Sequence, residues 1–314
     1  MDYLPLQDDN LILVDRIGSQ LDDPRSLTRD VARGILLKLR RGVYVKSDLW
    51  SASSLRARHV LRARAVLAAS RRPIALAGVS AAALWGMPVG DDWPNEVTVL
   101  DEWQGGGRTE PGVRRTAAGY RTARIVELDG LRVTDLTRTA IDVARRTSFV
   151  DAIGSVDWAL WRRNDRRVTR EMLADDVHNL DQSLGRRHLQ RVVGFATDLS
   201  DSYGESRCRA IIHLLGFEAP ELQVEFRDGD GVMIPDFFWP GVNCAAEFDG
   251  KNKYTRNEFT AGDPAEVVWR EKKREDRLRR QVSGLTRILT VDVASPERLV
   301  RLLTELGIPR GRRS

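Results

Sequence analysis

Cysteine is scarce in this 314-residue chain: Cys208 and Cys244 are its only two, far apart and each in apolar surroundings. That argues against a disulfide framework and for buried thiols in a reducing compartment, with the cytoplasm as the expected location. Long apolar runs are missing too. No segment approaches the length of a membrane-spanning helix, and the opening MDYLPLQDDNLILVDRIG carries acids where a secretory signal needs bases. No membrane partner is expected. Internal repeats and low-complexity tracts are absent, and 42% hydrophobic residues suffice for real cores. Lysine is rare among the bases, six of 50, leaving 44 arginines. The bias fits a GC-rich genome better than a physical need. It makes the lysines conspicuous, because Lys251, Lys253, Lys272 and Lys273 lie close together in sequence.

The length exceeds one compact domain, so two or three are expected. The net charge of +5 suits a polyanionic partner, although a mixed basic surface is common on soluble proteins. The overall expectation is an α+β multidomain chain in three parts. Residues 1–50 form a winged helix-turn-helix, 51–194 a mixed α/β connecting domain, and 195–314 an α/β sandwich.

In the first part, NLILVDRIGSQL can supply an amphipathic helix. DPRSLTRDVARG supplies a second, with an acidic start, an early proline and a terminal glycine. ILLKLRRGVYV places two β-rich runs around RRG, a hairpin with a basic tip. Arg25, Arg29 and Arg33 are spaced four apart and share a helix face. With Lys38, Arg40 and Arg41 they make six bases against one acid between Pro24 and Val45. Such a surface can track phosphates while the helix enters a major groove. A solvated arginine face is the plain alternative.

In the second part, SSLRARHVLRARAVLAAS reads as a helix with a hydroxyl start, and IALAGVSAAALWGMPV as a packed helix ending at Gly86. EVTVL is a strand and DEWQGGGRTEPGVRR a loop. ARIVELDGLRVTDLTRTAIDVAR is a hairpin turning at Asp129-Gly130, followed by a helix. LLKLRRGVYV, VSAAALWGMPV and GLRVTDLTRTAIDVAR, in that order, resemble the AbiEi-type antitoxins over about residues 10 to 160. The resemblance implies a DNA-binding winged helix. It also implies transcriptional autoregulation in a toxin–antitoxin or phage-defence pair, with a cognate toxin or defence protein as partner.

In the third part, YGESRCRAIIHLLGF is a helix that Gly204 precedes and Glu205 begins. QVEF and GVMIPDFFWP are strands around the turn RDGDG, and VNCAAEFDG is a buried strand. DPAEVVWREKKREDRLRRQV is a charged helix capped by Asp263, LTRILTVDV a last strand and SPERLVRLLTELG a last helix.

The run AAEFDGKNKY poses the chemical question. Glu247 and Asp249, one residue apart, point the same way on a strand and repel. Either the strand has ended and both are in water, or something positive is bound there. Asp236 lies on the neighbouring strand, about 4.8 Å away by strand spacing, and Glu205 is in reach from the preceding helix. Oxygen ligands without His or Cys at suitable spacing suit Mg²⁺ or Mn²⁺ and not zinc. A nearby lysine would orient water and stabilise negative charge, and the set would hydrolyse a phosphodiester.

GESRCR, IPDFFWP and AAEFDGKNKY resemble the PD-(D/E)xK nuclease superfamily over roughly residues 200 to 295, nearest the very-short-patch-repair endonucleases. The resemblance implies a restriction-endonuclease-like fold, with Asp236 and Glu247 as metal ligands and Glu205 steadying the metal's water shell. The family's lysine position is occupied here by Asp249, and Lys251 or Lys253 is the candidate stand-in. Two expectations follow. One is a Mg²⁺- or Mn²⁺-dependent nuclease acting on DNA, with RNA open because the metal chemistry does not read the sugar. The other is a non-enzymatic antitoxin-like regulator whose nuclease-like domain is a scaffold or partner-binding module.

Overall fold

The computed structural model describes residues 11–13, 25–90, 92–102, 110–117, 122–180, 185–250 and 264–311. The chain divides into two compact units, one of residues 2–147 and 166–194, the other of 148–165 and 195–314. The class is mixed α and β, in several small sheets.

Ile12 and Leu13 form a short strand, β1; Asn10 and residues 14–21, most of the expected helix, lie outside the described residues. Helix α1 (Arg25–Ala32) follows, then strands β2 (Leu36–Arg40) and β3 (Val43–Lys46) in a hairpin. β1 pairs antiparallel with β3, Ile12 opposite Tyr44, so the sheet order is β1-β3-β2. The hairpin alone leaves one edge of β3 unpaired, and Ile12 and Leu13, both apolar, pair with it there. Leu27, Leu36, Val43 and Val45 are buried.

Helices α2 (Ser47–Ala52) and α3 (Leu55–Ala69) come next. Ser54 is the expected hydroxyl start of α3, its Oγ accepting from the Ala57 N–H at 3.2 Å. A five-stranded sheet forms from β4 (Ala75–Leu76), β5 (Val97–Leu100), β6 (Val113–Thr116), β7 (Ile125–Leu128) and β8 (Leu131–Thr134), in the order β6-β5-β4-β8-β7. Strand β6 lies in the stretch read as a loop. It forms because Val113 buries itself opposite Val97, a pairing that only the partner strand reveals. Asp129 and Gly130, at φ 50° and 73°, turn β7 into β8 as expected. Helix α4 (Gly78–Trp85) and α3 share a core with the sheet that includes Val60, Leu76, Ala81, Val97, Val99 and Val133. Helix α5 (Leu136–Ala144) follows β8, capped by Asp135, whose carboxylate accepts from the Arg138 N–H at 2.8 Å.

Helix α6 (Phe149–Leu160) belongs to the second unit, while α7 (Arg170–His178) and α8 (Arg186–Phe195), up to Gly194, belong to the first. Within the second unit α6 packs on α9 (Tyr203–Leu214). Gly154 makes the approach possible, since a Cβ there would lie 2.3 Å from the Tyr203 ring. Asp157 of α6, fully buried, meets Arg209 of α9 at 2.9 Å and accepts from the Thr197 N–H at 2.7 Å. Burial pushes the Asp157 carboxyl upward and Arg209 opposes it.

The remaining strands of this unit are β9 (Phe226–Asp228), β10 (Gly231–Met233), β11 (Phe237–Trp239), β12 (Cys244–Asp249) and β13 (Gly284–Leu289). β9 and β10 form a separate hairpin. The other three form a sheet in the order β11-β12-β13, with β11 antiparallel and β13 parallel to β12. The expected strand GVMIPDFFWP is thus two, split around Pro235, which has no N–H to give a ladder. Helix α10 (Pro264–Arg279) connects β12 to β13; the expected cap Asp263 lies outside the described residues. TVDV, read as the end of the last strand, is a short helix, α11 (Thr290–Val293). Asp292 makes it so by accepting from the Leu289 N–H at 2.9 Å. Helix α12 (Pro296–Glu305) ends the unit, whose core includes Cys208, Ile212, Phe237, Trp239, Phe248, Ile288 and Leu299. Both cysteines are free and buried. Among the described residues, no helix is long and apolar enough to cross a membrane.

Candidate functional site

The candidate acids lie in the first turn of α9 (Glu205), just before β11 (Asp236) and on β12 (Glu247 and Asp249). Strand alternation sorts β12 into two sides: Cys244, Ala246 and Phe248 belong to the core, which leaves Glu247 and Asp249 on the opposite face. Glu247 is only 8% exposed. β11 pairs with β12 through Phe237 opposite Ala246, and one further step of that register sets Asp236 opposite Glu247. The Asp236 Oδ2 accepts from the Phe248 N–H at 2.7 Å. It supplies an acceptor that β11, beginning only at Phe237, is too short to offer.

Glu205 lies in the first turn of α9, not at its first residue. Ser202 is the cap: its Oγ accepts from the Glu205 N–H at 3.1 Å, and the Glu205 Oε2 accepts from the Asp201 N–H at 2.9 Å. The Ser-x-x-Glu spacing of a capping box was there to be read. Gly204 lets the helix start come down on β12, for a Cβ at that position would lie 2.1 Å from the Phe248 ring. Glu205 is 7% exposed. Burial, and next the negative charge of Asp236, push its carboxyl up to about 7, against hydrogen bonds from Ser202 and Asp201. Burial raises the Cys208 thiol too, and the charges of Asp236 and Glu205 add to it. The negative charge of Asp236 therefore reaches both Glu205 and Cys208.

Glu247 and Asp249 are each met by arginine. Arg274 of α10 forms an ion pair with Glu247 and lies 3.1 Å from Glu271. Arg287 of β13 lies 3.3 Å from Asp249 and 3.1 Å from Glu275. Burial opposes both guanidinium charges, yet the surrounding acids outweigh it and raise both pKa values. The positive partner of the acid pair on β12 is thus supplied by the chain itself. One signal could have located it: Leu278 is the lone apolar residue between Arg270 and Arg280 and is fully buried, so it marks the inner side of α10. Arg274 and Glu275 lie one turn before it on that side. Within α10, Glu275 also pairs with Arg279, one turn on, at 2.6 Å.

The candidate phosphate-binding residues are placed unevenly. Arg29, Arg33, Lys38 and Arg41 are exposed, and Arg25 begins α1. Arg40 is half-buried in an ion pair with Glu110, so its charge is already matched. Lys251 and Lys253 lie outside the described residues.

Among the described residues no three His, Cys, Asp or Glu side chains gather as a ready metal cluster. The donor set nonetheless fits a hard divalent ion in kind. Mg²⁺ commonly takes only one or two carboxylates and keeps several waters. A buried carboxyl, Glu205, beside the half-buried negative charge of Asp236 is the condition that a cation relieves. Glu247 can join only by giving up Arg274.

No protein-family model matches the chain, and a search of curated proteins finds no match. Among solved structures, the RV2827C protein from Mycobacterium tuberculosis aligns with a TM-score of 0.39 and 15% identity, over 59% of this chain and 71% of that one. That likeness is too slight to carry an argument.

Proposed function

We propose that the chain binds DNA through its N-terminal segment and hydrolyses phosphodiester bonds in its C-terminal unit, using Mg²⁺ or Mn²⁺ held by Asp236 and Glu247. The observation that carries this reading is that the negative charge of Asp236, which lies just before β11, acts on the buried carboxyl of Glu205, beside the strand that bears Glu247. A buried carboxyl raised by the charge of a second acid from a separate segment is more typical of a functional site than of scaffold. The finer fold assignments belong to the same proposal. The N-terminal segment is a winged helix, supported by α1 and its three-stranded sheet. The C-terminal unit is restriction-endonuclease-like, supported by the order helix, hairpin, two antiparallel strands, helix and parallel strand. Buried free thiols agree with a cytoplasmic setting, and the AbiEi-like motifs point to a toxin or defence protein as partner.

A divalent ion held there would supply Lewis-acid polarisation of the scissile phosphate. Asp236 and Glu247 would hold it, and Asp249 would shape its surroundings. Glu205, titrating near neutrality, takes the proton of the attacking water. Release of Glu247 leaves the Arg274 fork to face a phosphate, and Lys251 or Lys253 offsets the remaining negative charge.

A second reading, the non-enzymatic regulator, is favoured by one observation: Arg274 and Arg287 already match Glu247 and Asp249. Incubating plasmid and single-stranded DNA with Mg²⁺ or Mn²⁺ separates the two. Hydrolysis is expected of the wild type and not of Asp236→Ala or Glu247→Ala; cutting that survives both changes rules out this site. If no substrate is cut but Arg29→Ala or Arg33→Ala weakens DNA mobility shifts, the regulator stands.

A further inference from the structure

The outward side of α10 takes no part in the acid site. Trp269 is 55% exposed there, and the Lys273 ammonium, one turn on, lies 3.8 Å from the centre of its ring. Arg270 and Lys272 are exposed beside them. The helix turns its other side, with Leu278, Arg274 and Glu275, to the protein. A large aromatic left in water beside three bases asks for a partner with two properties: a flat face for the indole and negative charge for the cations. An acidic peptide offers the charge without the face. A duplex offers phosphates but keeps its base faces inside the stack.

We infer that this side of α10 binds single-stranded nucleic acid. An unpaired base stacks on Trp269, and the adjoining phosphates meet Arg270, Lys272 and Lys273. The inference rests on the nucleic-acid reading above and adds the strandedness of the substrate.

The test uses the full chain and fluorescence anisotropy of labelled oligo(dT) and of a duplex of equal length, in EDTA so that cleavage does not intervene. Trp269→Ala is expected to weaken oligo(dT) binding about tenfold while leaving duplex binding within about twofold. Trp269→Phe, which keeps a stacking face, retains most of the affinity. Lys273→Ala weakens both and lowers the salt slope by about 1. The inference is overturned if Trp269→Ala binds oligo(dT) like the wild type, if it loses both substrates equally, or if the wild type fails to bind oligo(dT). Its failure is separable from that of the hydrolytic reading. Cleavage lost in Asp236→Ala with oligo(dT) binding unchanged in Trp269→Ala sinks only the stacking site. Trp269-dependent binding by a wild type that cuts nothing sinks only hydrolysis.

Discussion

Arg274 of α10 is paired with Glu247 of β12, 27 residues earlier in the chain. The pair closes the loop between a charged helix and the strand carrying the acids, and it occupies a carboxylate that a metal would need.

Replacing Arg274 with alanine should therefore act in two directions. Glu247 is left buried and unmatched, which costs about 1–3 kcal/mol of stability, read as a lowered midpoint in urea. The same change frees the carboxylate, so calorimetry should detect Mn²⁺ uptake at lower concentration than in the wild type. Destabilisation with no gain in Mn²⁺ affinity would count for the regulator.

Glu205 predicts a pH dependence of stability. Its carboxyl titrates at about 7 in the folded chain, above the ordinary 4.5. The folded state thus holds the proton over a window in which the unfolded state has released it. Its contribution is fully present below about pH 4.5 and is lost as pH rises through 7, a change on the order of 3 kcal/mol. Urea unfolding between pH 4.5 and 8 should show this decline, and Glu205→Gln, which keeps a capping oxygen, should flatten it. An unchanged slope in the variant would place the titration elsewhere.

His59 predicts the opposite slope in the other unit. Its Nδ1 donates to the Pro94 carbonyl at 2.8 Å, so its Nε2 accepts from the Ser80 hydroxyl at 2.9 Å, and Ser80 in turn accepts from the Thr98 N–H at 2.8 Å. Burial lowers the pKa of this ring, and the Pro94 bond only partly resists it. A histidine with a lowered folded pKa lends stability above its ordinary 6.5 that is lost as pH falls below that value. Ser80→Ala should cost about 1 kcal/mol in urea unfolding at pH 8 and weaken the dependence below pH 6.5, because neutral His59 then has one partner fewer to lose.

What could be read from residue order alone was local. Ser54 before an arginine-rich helix, Asp129-Gly130 between β7 and β8, and the apolar run of β12 each state their structure within a few residues. The misses depended on partners far away. β6 exists because Val97 lies opposite Val113, and Ile12 and Leu13, the two residues of β1, pair with the edge of β3, while most of the helix expected there lies outside the described residues. At the site, the placement of Asp236 and Glu205 near one another was legible from strand spacing and helix order. The neutralisation of Glu247 was signalled only indirectly, by Leu278, whose burial marks the side of α10 that carries Arg274; the helix's own pair Glu275–Arg279 shows how its charges can also be matched without β12. Whether Lys251 or Lys253 compensates for Asp249 falls outside the described residues.

The buried contact of Asp157 with Arg209 has a practical consequence for dissection of the chain. A fragment begun at Phe195 would lose both the α6 face on which α9 packs and the counter-ion of Arg209. The C-terminal unit is discontinuous along the polypeptide. Its smallest self-sufficient piece starts at Ser148 and must either retain residues 166–194 or bridge them with an artificial linker.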